Sequence, residues 1–339
     1  MIIKILCYAD CHLRFYGSFP PYNFIQDTGL TKEAHNILRG RDFIVDQILS
    51  LKPDMVCFLG DLFHHMERLT VQELFLAFCF LEPIREACAT VNAKHIGIAG
   101  NHDQVSRNGV FNTLKPLHHY FSNVFTEPTQ VQDFLFLPYS DDKEALAELV
   151  LYHKDKCRIL FCHEEFSGGR MESGKSSSAS VNYNQLVPKV ISGHLHLAHD
   201  HENVSYVGSL IQHRFAVDND NEIGGIYFYD TETGEEQRIP NTYSKHYIVV
   251  RDLEVLPMLK ESPFEFLVQV RVHESKDEVT EICNELGLEF HYVSQLRISV
   301  GDTDRYTEVP HVDSLLMLKT WINKRRPEAV QVLEKYISI

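Results

Sequence analysis

The sequence predicts an α/β fold in which strands and helices pack in layers. Short apolar runs that end in polar turns predict strands, and stretches rich in helix-forming residues lie between them. The chain has 339 residues, which is enough for about two domains. Its 44% hydrophobic and 23% charged residues are typical of a folded globular protein and exclude extensive disorder.

Five apolar runs are the expected buried strands of the main domain: residues 2–9, 55–59, 95–99, 158–162 and 190–192. Helices are expected at 42–51 and 71–88. Further strands are expected at 204–208 and 225–230, the second closing on a Thr-Glu-Thr-Gly turn. Because strands alternate with helices, the sequence predicts a layered α/β core.

The C-terminal third is organised differently. A strand at 264–272, a helix at 277–286 and a strand at 292–300 predict a small α+β unit. The tail at 312–337 has apolar residues at helical spacing. We therefore predict three parts, a main domain at 1–245, a small α+β capping domain at 246–305 and a helical segment at 306–339.

The apolar pattern excludes membrane-spanning and secreted proteins as classes. No apolar run approaches the ~20 residues that cross a bilayer, and the N-terminus leads into a strand-like run without the layout of a signal peptide. The eight cysteines form no CxxC pair, and several lie in apolar runs, where a thiol behaves as a small hydrophobic group. We expect reduced, buried cysteines in a cytoplasmic protein.

Each of the five predicted strands ends at residues that can bind a metal. In α/β folds ligands gather beyond the carboxyl ends of the strands, so these side chains are expected to converge. They comprise two carboxylates, one carboxamide and four imidazoles: Asp10, His12, Asp61, Asn101, His163, His194 and His196. Such mixed oxygen and nitrogen ligands suit manganese, iron or zinc better than calcium or magnesium. One Asp-x-His pair usually belongs to an ordinary polar surface, but five such strand ends favour a metal centre.

The net charge limits how this protein can bind an anion. There are 32 Lys and Arg residues against 47 Asp and Glu residues, a formal charge of −15. This argues against broad, sequence-independent wrapping of nucleic acid, which needs a basic surface. A pair of divalent ions would bring about four positive charges against the two carboxylates. A local phosphate site is therefore compatible with an acidic chain.

The polar strand ends form a recognisable ordered set of motifs. Asp10-Cys-His12, Gly60-Asp61-Leu-Phe-His64, Gly100-Asn101-His102-Asp103, His163 and Gly193-His194-Leu-His196 resemble those of calcineurin-like metallophosphoesterases. Their form is most similar to the double-strand-break-repair nucleases that include bacterial SbcD, and the compact C-terminal part is closest to phage recombination-endonuclease subunits. A serine/threonine phosphatase would carry Gly-Asp-x-x-Asp-Arg-Gly and Gly-Asn-His-Glu. His64 and Asp103 disfavour that branch.

The resemblance implies a layered β-sandwich flanked by helices, and a role for each residue. One ion would be held by Asp10, His12 and His196, and the other by Asn101, His163 and His194. Asp61 would bridge the two ions, which are expected to be manganese, with magnesium as the alternative. His102 would be the general acid for the leaving oxygen. His64 would orient His102 or contact the phosphate, with simple support of the site as the alternative.

The resemblance also implies a substrate and partners. A nuclease of this kind cleaves duplex DNA ends and single-stranded DNA, and works in DNA repair and recombination with an SbcC-like coiled-coil ATPase. Here the ATPase would bind the helices at 306–339. Within the helix at 71–88, residues 74–81 are apolar on every helical face and must be buried somewhere. The resemblance implies that this helix forms a homodimer interface, joined by Phe111, Leu114 and Leu117. The alternative is a helix sandwiched between sheet and cap. If a phage encodes the chain, its compartment is the host cytoplasm.

Two other functions fit the same motifs. The first is a phosphomonoesterase or small-molecule phosphodiesterase that uses the same metals, because substrate choice lies in loops that sequence reads poorly. The second is a non-catalytic scaffold for an ATPase. All the expected ligands are present, however, so nothing in the sequence indicates decay of the site.

A further motif is expected to be a coincidence. Residues 169–176 match the phosphate-binding expression GxxxxGK[ST], but no strand directly precedes them and no helix pattern follows. Arg170 and Lys175 in this loop could face the substrate, or the loop could be merely solvated. The remaining histidines, including His118, His119, His199 and His201, are expected to be surface or packing residues.

Overall fold

The computed structural model describes residues 3–16, 24–25, 28–66, 68–104, 111–171, 175–179, 181–213, 215, 224–262, 265–272 and 274–294. Residues 1–295 group into one compact unit and residues 296–339 into a second. The predicted helical segment at 306–339 lies outside the described residues, as does the end of the strand expected at 292–300. No helix in the described ranges is long and apolar enough to cross a membrane.

The strands of the described residues are β1 (Lys4–Tyr8), β2 (Met55–Phe58), β3 (Lys94–Ile98), β4 (Asn123–Phe125), β5 (Thr129–Val131), β6 (Phe134–Leu137), β7 (Ile159–Cys162), β8 (Lys189–Ser192), β9 (His199–His201), β10 (Val204–Tyr206), β11 (Gly225–Asp230), β12 (Glu236–Pro240), β13 (His246–Val250), β14 (Phe266–Val272) and β15 (Glu289–Ser294). The α-helices are α1 (Lys32–Leu51), α2 (Val71–Val91), α3 (Lys143–His153), α4 (Leu256–Lys260) and α5 (Lys276–Leu286).

Two six-stranded mixed sheets form the main body, as the predicted α/β sandwich requires. The first has the order β12-β11-β1-β2-β3-β4 and the second β5-β6-β7-β8-β10-β9. β1 to β4 are parallel, and so are β6, β7, β8 and β10, while the outer pairs are antiparallel. The carboxyl ends of the parallel strands in each sheet therefore lie along one edge, where the candidate ligands follow them.

Alternating side chains of β1 show how the layers pack. Ile5 and Cys7 lie in the core that also holds Phe136 and Phe161 of the second sheet. Leu6 and Tyr8 point the other way, into a core built with α1 and α2. This is the two-residue period of a strand buried on both faces. α3 covers the outer face of the second sheet, so the order of layers is helix, sheet, sheet, helix.

A separate three-stranded parallel sheet, β13-β14-β15, carries its own core with α4 and α5. The predicted helix of this unit is present, and Gly287 ends it with a positive φ of 69°. β15 begins three residues earlier than the expected strand at 292. The expected strands and helix are present, but the sheet is all parallel and its strands alternate with helices, which is an α/β rather than the predicted α+β arrangement. The boundary at 245 stays a prediction.

The largest error in the predicted elements is the start of α1. It begins at Lys32, ten residues before the expected start at 42. Thr31 caps it, because the Thr31 side chain accepts a hydrogen bond from the Ala34 N–H. The sequence analysis also missed β6 and α3, although β6 is four buried apolar residues in a row.

α2 covers the sheet with one face and leaves apolar residues on the other. Leu76, Phe80 and Ile84 are buried, whereas Val71 is 82% exposed and Phe75 57%. Leu114 and Leu117, which we expected in an intermolecular contact, are instead buried in the core with α2. Phe111 is 70% exposed.

The described residues of the 169–176 match, 169–171 and 175–176, pair with each other. The N–H of Ser177 donates to the Gly169 carbonyl (2.7 Å) and that of Met171 to the Lys175 carbonyl (2.9 Å), and Arg170 forms an antiparallel bridge with Ser176. The next helical segment in the described residues is a short 3₁₀ turn at Tyr183–Leu186. All eight cysteines are free and seven are buried, as expected.

Candidate metal centre

The two sheets are joined by hydrogen bonds at the edge where the candidate ligands lie. The ring of His163, just after β7, bonds through Nδ1 to the carbonyl of Leu59, just after β2 (2.6 Å). The N–H of Tyr139, which follows β6, donates to the carbonyl of Ala99 (2.9 Å). These bonds bring the ends of strands from different sheets within side-chain reach of one another.

Asp10, His12 and His196 form the first cluster, which is the set expected for the first ion. The Nε2 atoms of His12 and His196 are 3.0 Å apart. Oδ1 of Asp10 lies 3.9 Å from the first of these atoms and 3.8 Å from the second. This oxygen is buried and accepts no hydrogen bond from the described residues. A cation between these three atoms would satisfy it.

Asn101, His163 and His194 form the second cluster. The amide oxygen of Asn101 lies 3.0 Å from Nε2 of His163 and 3.0 Å from Nδ1 of His194. The opposite nitrogen of each ring faces a protein acceptor. Nδ1 of His163 faces the Leu59 carbonyl, and Nε2 of His194 faces Glu165 at 3.7 Å. Such outer partners fix which nitrogen of a histidine is free to bind a metal.

Asp61 lies between the two clusters and reaches both. Its Oδ2 is 3.7 Å from Nε2 of His12, and its Oδ1 is 3.4 Å from Nε2 of His163. Burial alone would raise the pKa of Asp61, but the neighbouring His163 and His12 outweigh it and hold that pKa below its usual range. The carboxylate is thus kept ionised and points one oxygen at each cluster, which is the arrangement of a bridging ligand.

The electrostatics of Asp10 are different. Burial is the main cause that raises the pKa of Asp10 to about 7, while His163 and His196 lower it less. The positive charge near this buried carboxyl is too small to offset the cost of burying its ionised form. A divalent cation supplies such charge, so the donor set and its electrostatics fit a divalent metal.

Four of the candidate ligands hold unusual backbone conformations. Asp10, His12, Asp61 and His194 have φ of 51°, 44°, 61° and 74°, a region that costs a non-glycine residue of order 1 kcal/mol or more. Such strain persists only where the surroundings enforce it, and it concentrates at functional sites.

Two neighbouring glycines make room for the ligands. A Cβ at Gly60, whose φ is +94°, would lie 2.5 Å from Nδ1 of His163. A Cβ at Gly100 would collide with the carboxylate of Asp61. Only glycine fits at these two points of close approach.

Asp103 supports the centre, a role that the sequence analysis did not assign. Its buried carboxylate accepts hydrogen bonds from the N–H groups of Asp61 (2.7 Å), Leu62 (3.0 Å) and Gly100 (2.9 Å). The Thr113 hydroxyl donates a fourth bond (3.0 Å). One side chain therefore fixes the turns that carry Asp61 and Asn101. Its place in the Gly-Asn-His-Asp motif was the available signal.

His102 and His64, the two expected catalytic residues, lie beside the clusters. Nδ1 of His102 is 2.8 Å from the main-chain carbonyl of His64. Because a carbonyl only accepts, Nδ1 carries the proton and Nε2 is left for the substrate. The two rings lie 6.0 Å apart and stack at 28°. His64 therefore orients His102 through its backbone.

Other contacts around the site had no clear sequence signal. The ring of Tyr139 stacks on that of His194, with 5.9 Å between the centroids. The Lys143 ammonium lies 4.1 Å from the centroid of the Tyr139 ring. Lys143 is also paired with buried Glu164 (2.6 Å). His213, expected to be an ordinary packing residue, is buried against the first cluster.

The chain is similar to several known proteins. The chain is 29% identical over 217 residues to a protein named as a phosphoesterase, 244L of Invertebrate iridescent virus 6, covering 60% of this chain and 75% of that protein. It is 27% identical over 198 residues to exonuclease subunit 1 of Enterobacteria phage T4, covering 55% of this chain and only 56% of the phage protein. A dimetal phosphatase of Danio rerio aligns with 10% identity and a TM-score of 0.39 over 67% of this chain and 92% of that one.

The family comparison covers more than half of the chain. Residues 3–198 match the family described as calcineurin-like phosphoesterase, and this range contains both clusters, Asp61 and His102. The family uses divalent metals, which accords with the buried donor set described above. On this match, the chain belongs to the calcineurin-like phosphoesterase family.

Proposed function

We propose that the chain is the nuclease subunit of a DNA-processing complex, a two-metal phosphodiesterase that cuts duplex ends and single strands. The observation that carries this is the position of Asp61, with one oxygen toward His12 and the other toward His163. Two adjacent divalent ions stabilise the attacking and the leaving oxygens of a phosphoryl centre.

The residues of each cluster would hold one ion. Asp10, His12 and His196 would bind the first, and Asn101, His163 and His194 the second, with Asp61 shared. When bound, the ions supply activation of a water nucleophile and neutralisation of phosphate charge. We propose manganese, since imidazole and carboxylate donors together suit it better than magnesium.

His102 would protonate the leaving sugar oxygen. Its Nδ1–H is bonded to the His64 carbonyl, so a second proton on Nε2 is the one available for transfer. The ring is only partly buried, and its centroid lies 4.6 Å from that of His12, beside the first cluster. Positioned proton donors of this kind contribute about 10²–10⁴-fold in rate.

One feature supports DNA as the substrate, and another supports a protein partner. The phage T4 relative is named an exonuclease subunit, which implies both a nuclease activity and a partner for that protein. The exposed apolar residues of α2 indicate a chain that associates with another protein surface. We propose an SbcD-type homodimer that binds an SbcC-like ATPase through residues 306–339, acts in repair or recombination, and works in the cytoplasm.

A small-molecule phosphodiesterase or phosphomonoesterase is the second candidate. The iridescent virus relative is named only as a phosphoesterase, and the metal donors would serve either substrate. The domain boundaries at 245 and 305 are part of the first proposal, in which residues 246–305 form a capping domain and residues 306–339 bind the ATPase.

One set of assays separates the candidates. Purified full-length chain is incubated with end-labelled duplex DNA, circular single-stranded DNA, bis-p-nitrophenyl phosphate and p-nitrophenyl phosphate, with Mn²⁺, Mg²⁺ or chelator. The Asp61→Asn variant is the matched control, since it keeps the size of the side chain and removes its charge. We expect Mn²⁺-dependent cleavage of both DNAs that is lost in D61N. Turnover of either p-nitrophenyl ester without cleavage of DNA would select the second candidate.

A further inference from the structure

His213 lies in a loop that leaves β10 and returns to the metal centre. Its side chain is 9% exposed, although it is distant in sequence from every motif described above. It belongs to neither cluster of candidate ligands. The contacts of its ring and backbone nevertheless lie at the turn that carries Asp10 and His12 and at the ring of His196.

The ring of His213 holds the main chain of a candidate ligand. Its Nε2 lies 2.9 Å from the carbonyl oxygen of Asp10. A carbonyl can only accept, so Nε2 carries the proton and donates it. This bond fixes the peptide that follows Asp10, whose φ is 51°.

The same ring also packs against both imidazoles of the first cluster. Its centroid lies 4.8 Å from that of His12 at 89°, and 5.3 Å from that of His196 at 68°. These are edge-on contacts, which limit rotation of both rings. The Nε2 atoms of His12 and His196 are thereby kept 3.0 Å apart, facing the unpaired oxygen of Asp10.

The backbone of His213 also contacts the turn that carries Asp10 and His12. Its carbonyl accepts a hydrogen bond from buried Arg14 (3.3 Å), two residues beyond His12. Arg14 is in turn held by Glu33 of α1, with contacts of 2.8 Å and 2.6 Å. His213 thus forms hydrogen bonds with both ends of the turn from Asp10 to Arg14.

We propose that His213 is a positioning residue, which holds Asp10 and His12 in their strained conformations so that they can bind the first metal ion. The inference rests on the proposed metal centre. Without these contacts of His213, the turn would relax toward ordinary backbone angles. The side chains of Asp10 and His12 would then no longer converge on one ion. Partners of this outer kind typically change metal affinity by about 10–100-fold.

The test measures Mn²⁺ binding by titration calorimetry on the full chain, independently of activity. His213→Asn shortens the donor so that it no longer reaches the Asp10 carbonyl, and His213→Phe removes it while keeping the ring. His213→Gln places an amide N–H close to the position of Nε2. The control is His246→Asn, because buried His246 also donates through Nε2 to a carbonyl, that of Asn241 (2.8 Å), but in β13.

We expect H213N and H213F to weaken one of two Mn²⁺ sites by about 10–100-fold, with H213Q close to the unmodified chain and H246N unchanged. Far-UV circular dichroism of the metal-free variants shows that they are folded, and H213N is the fallback if the bulkier H213F is not. Wild-type affinity in folded H213N, or an equal loss in H246N, overturns the inference. If the unmodified chain itself binds no Mn²⁺, the proposed metal centre fails instead.

Discussion

At the scale of single residues, a main-chain atom orients the proposed proton donor. The His64 carbonyl holds Nδ1 of His102 at 2.8 Å, and a carbonyl survives any substitution of its own side chain. Substitution is therefore expected to affect the two candidate catalytic histidines differently. His102 is needed for its imidazole, and residue 64 mainly for its backbone position.

His102→Ala is expected to lower the rate of DNA cleavage by about 10²–10⁴-fold while both metal ions and DNA still bind. His64→Ala keeps the carbonyl, so a loss smaller than about tenfold is expected, below the range of a positioned proton donor. Single-turnover cleavage and Mn²⁺ titration measure the two effects. Undiminished cleavage by H102A would remove the general-acid role, and equal losses in both variants would show that the His64 ring acts directly.

A third histidine, His95, affects the stability of the fold rather than the chemistry of the site. His95 is buried in β3, where Nδ1 faces the Tyr120 carbonyl (2.9 Å) and Nε2 the Tyr8 hydroxyl (2.9 Å). A neutral ring satisfies both contacts, since Nδ1–H donates to the carbonyl and Nε2 accepts from the hydroxyl. Burial lowers the pKa of His95 from 6.5 to about 4. Between these two pH values the unfolded chain binds more protons than the folded one, so this residue reduces stability as pH falls.

The measurement compares the free energy of unfolding of the unmodified chain and His95→Gln. Their difference is expected to shrink by about 2 kcal/mol from pH 7 to pH 5, because only the unmodified chain meets this penalty. Exposed His118→Gln is the control and should track the unmodified chain at both pH values. A difference for H95Q that stays constant with pH would contradict the assignment.

At the scale of elements, α2 continues through a proline because α1 compensates for it. Pro83 has no N–H to donate to the carbonyl of Cys79, four residues earlier. The Arg41 guanidinium donates to that carbonyl instead (2.7 Å). The helix therefore runs from Val71 to Val91 with Pro83 inside it, and the contact also joins α1 to α2.

Arg41→Met is expected to destabilise the chain by about 1–3 kcal/mol, since it leaves the Cys79 carbonyl without a partner. In a Pro83→Ala background the backbone N–H restored at position 83 takes over, so the same substitution should cost less. Urea unfolding of the four chains gives a coupling energy of about 0.5–3 kcal/mol. Additive effects of the two substitutions would show that Arg41 does not replace the missing bond.

The elements that sequence could predict are those whose pattern is local. β11 was expected at 225–230 and is found there, because its residues and closing turn lie together in the chain. α1 was placed ten residues late because the face that its first turns bury includes Asn36 and Gly40, which weaken the apolar pattern there. His213 could not be assigned from sequence, since its role depends on a loop that returns to Asp10 from about 200 residues away.

The candidate site was more predictable than the elements around it. Each expected ligand lies one to four residues after a strand, and the carboxyl ends of parallel strands meet at one edge of a sheet. The pairing of ligands across two sheets, such as His163 with Asp61, was expected from the resemblance to calcineurin-like metallophosphoesterases. The support from Asp103 was not, because it depends on which N–H groups a turn presents.

At the scale of the whole molecule, charge and exposed apolar surface constrain assembly. A chain with a net charge of −15 gains little from wrapping DNA by itself, so a second subunit is the natural source of further contacts. Val71, Phe75 and Phe78 are exposed along one side of α2, by 82%, 57% and 39%. Their spacing of four and three residues places them on one helical stripe, which is apolar surface suited to a symmetric contact.

If this stripe is the homodimer interface, Phe75→Glu with Phe78→Glu should convert a dimer into a monomer of 39.2 kDa, because four buried like charges would face one another. Light scattering coupled to gel filtration measures the mass. The matched control is Leu151→Glu with Tyr152→Glu, since these residues are also exposed, by 49% and 84%, but lie on α3. An unmodified chain that is already monomeric, or an equal effect of the α3 pair, would remove α2 as the dimer interface. Loss of the dimer with Mn²⁺ binding intact would place assembly and metal binding on separate surfaces of the chain.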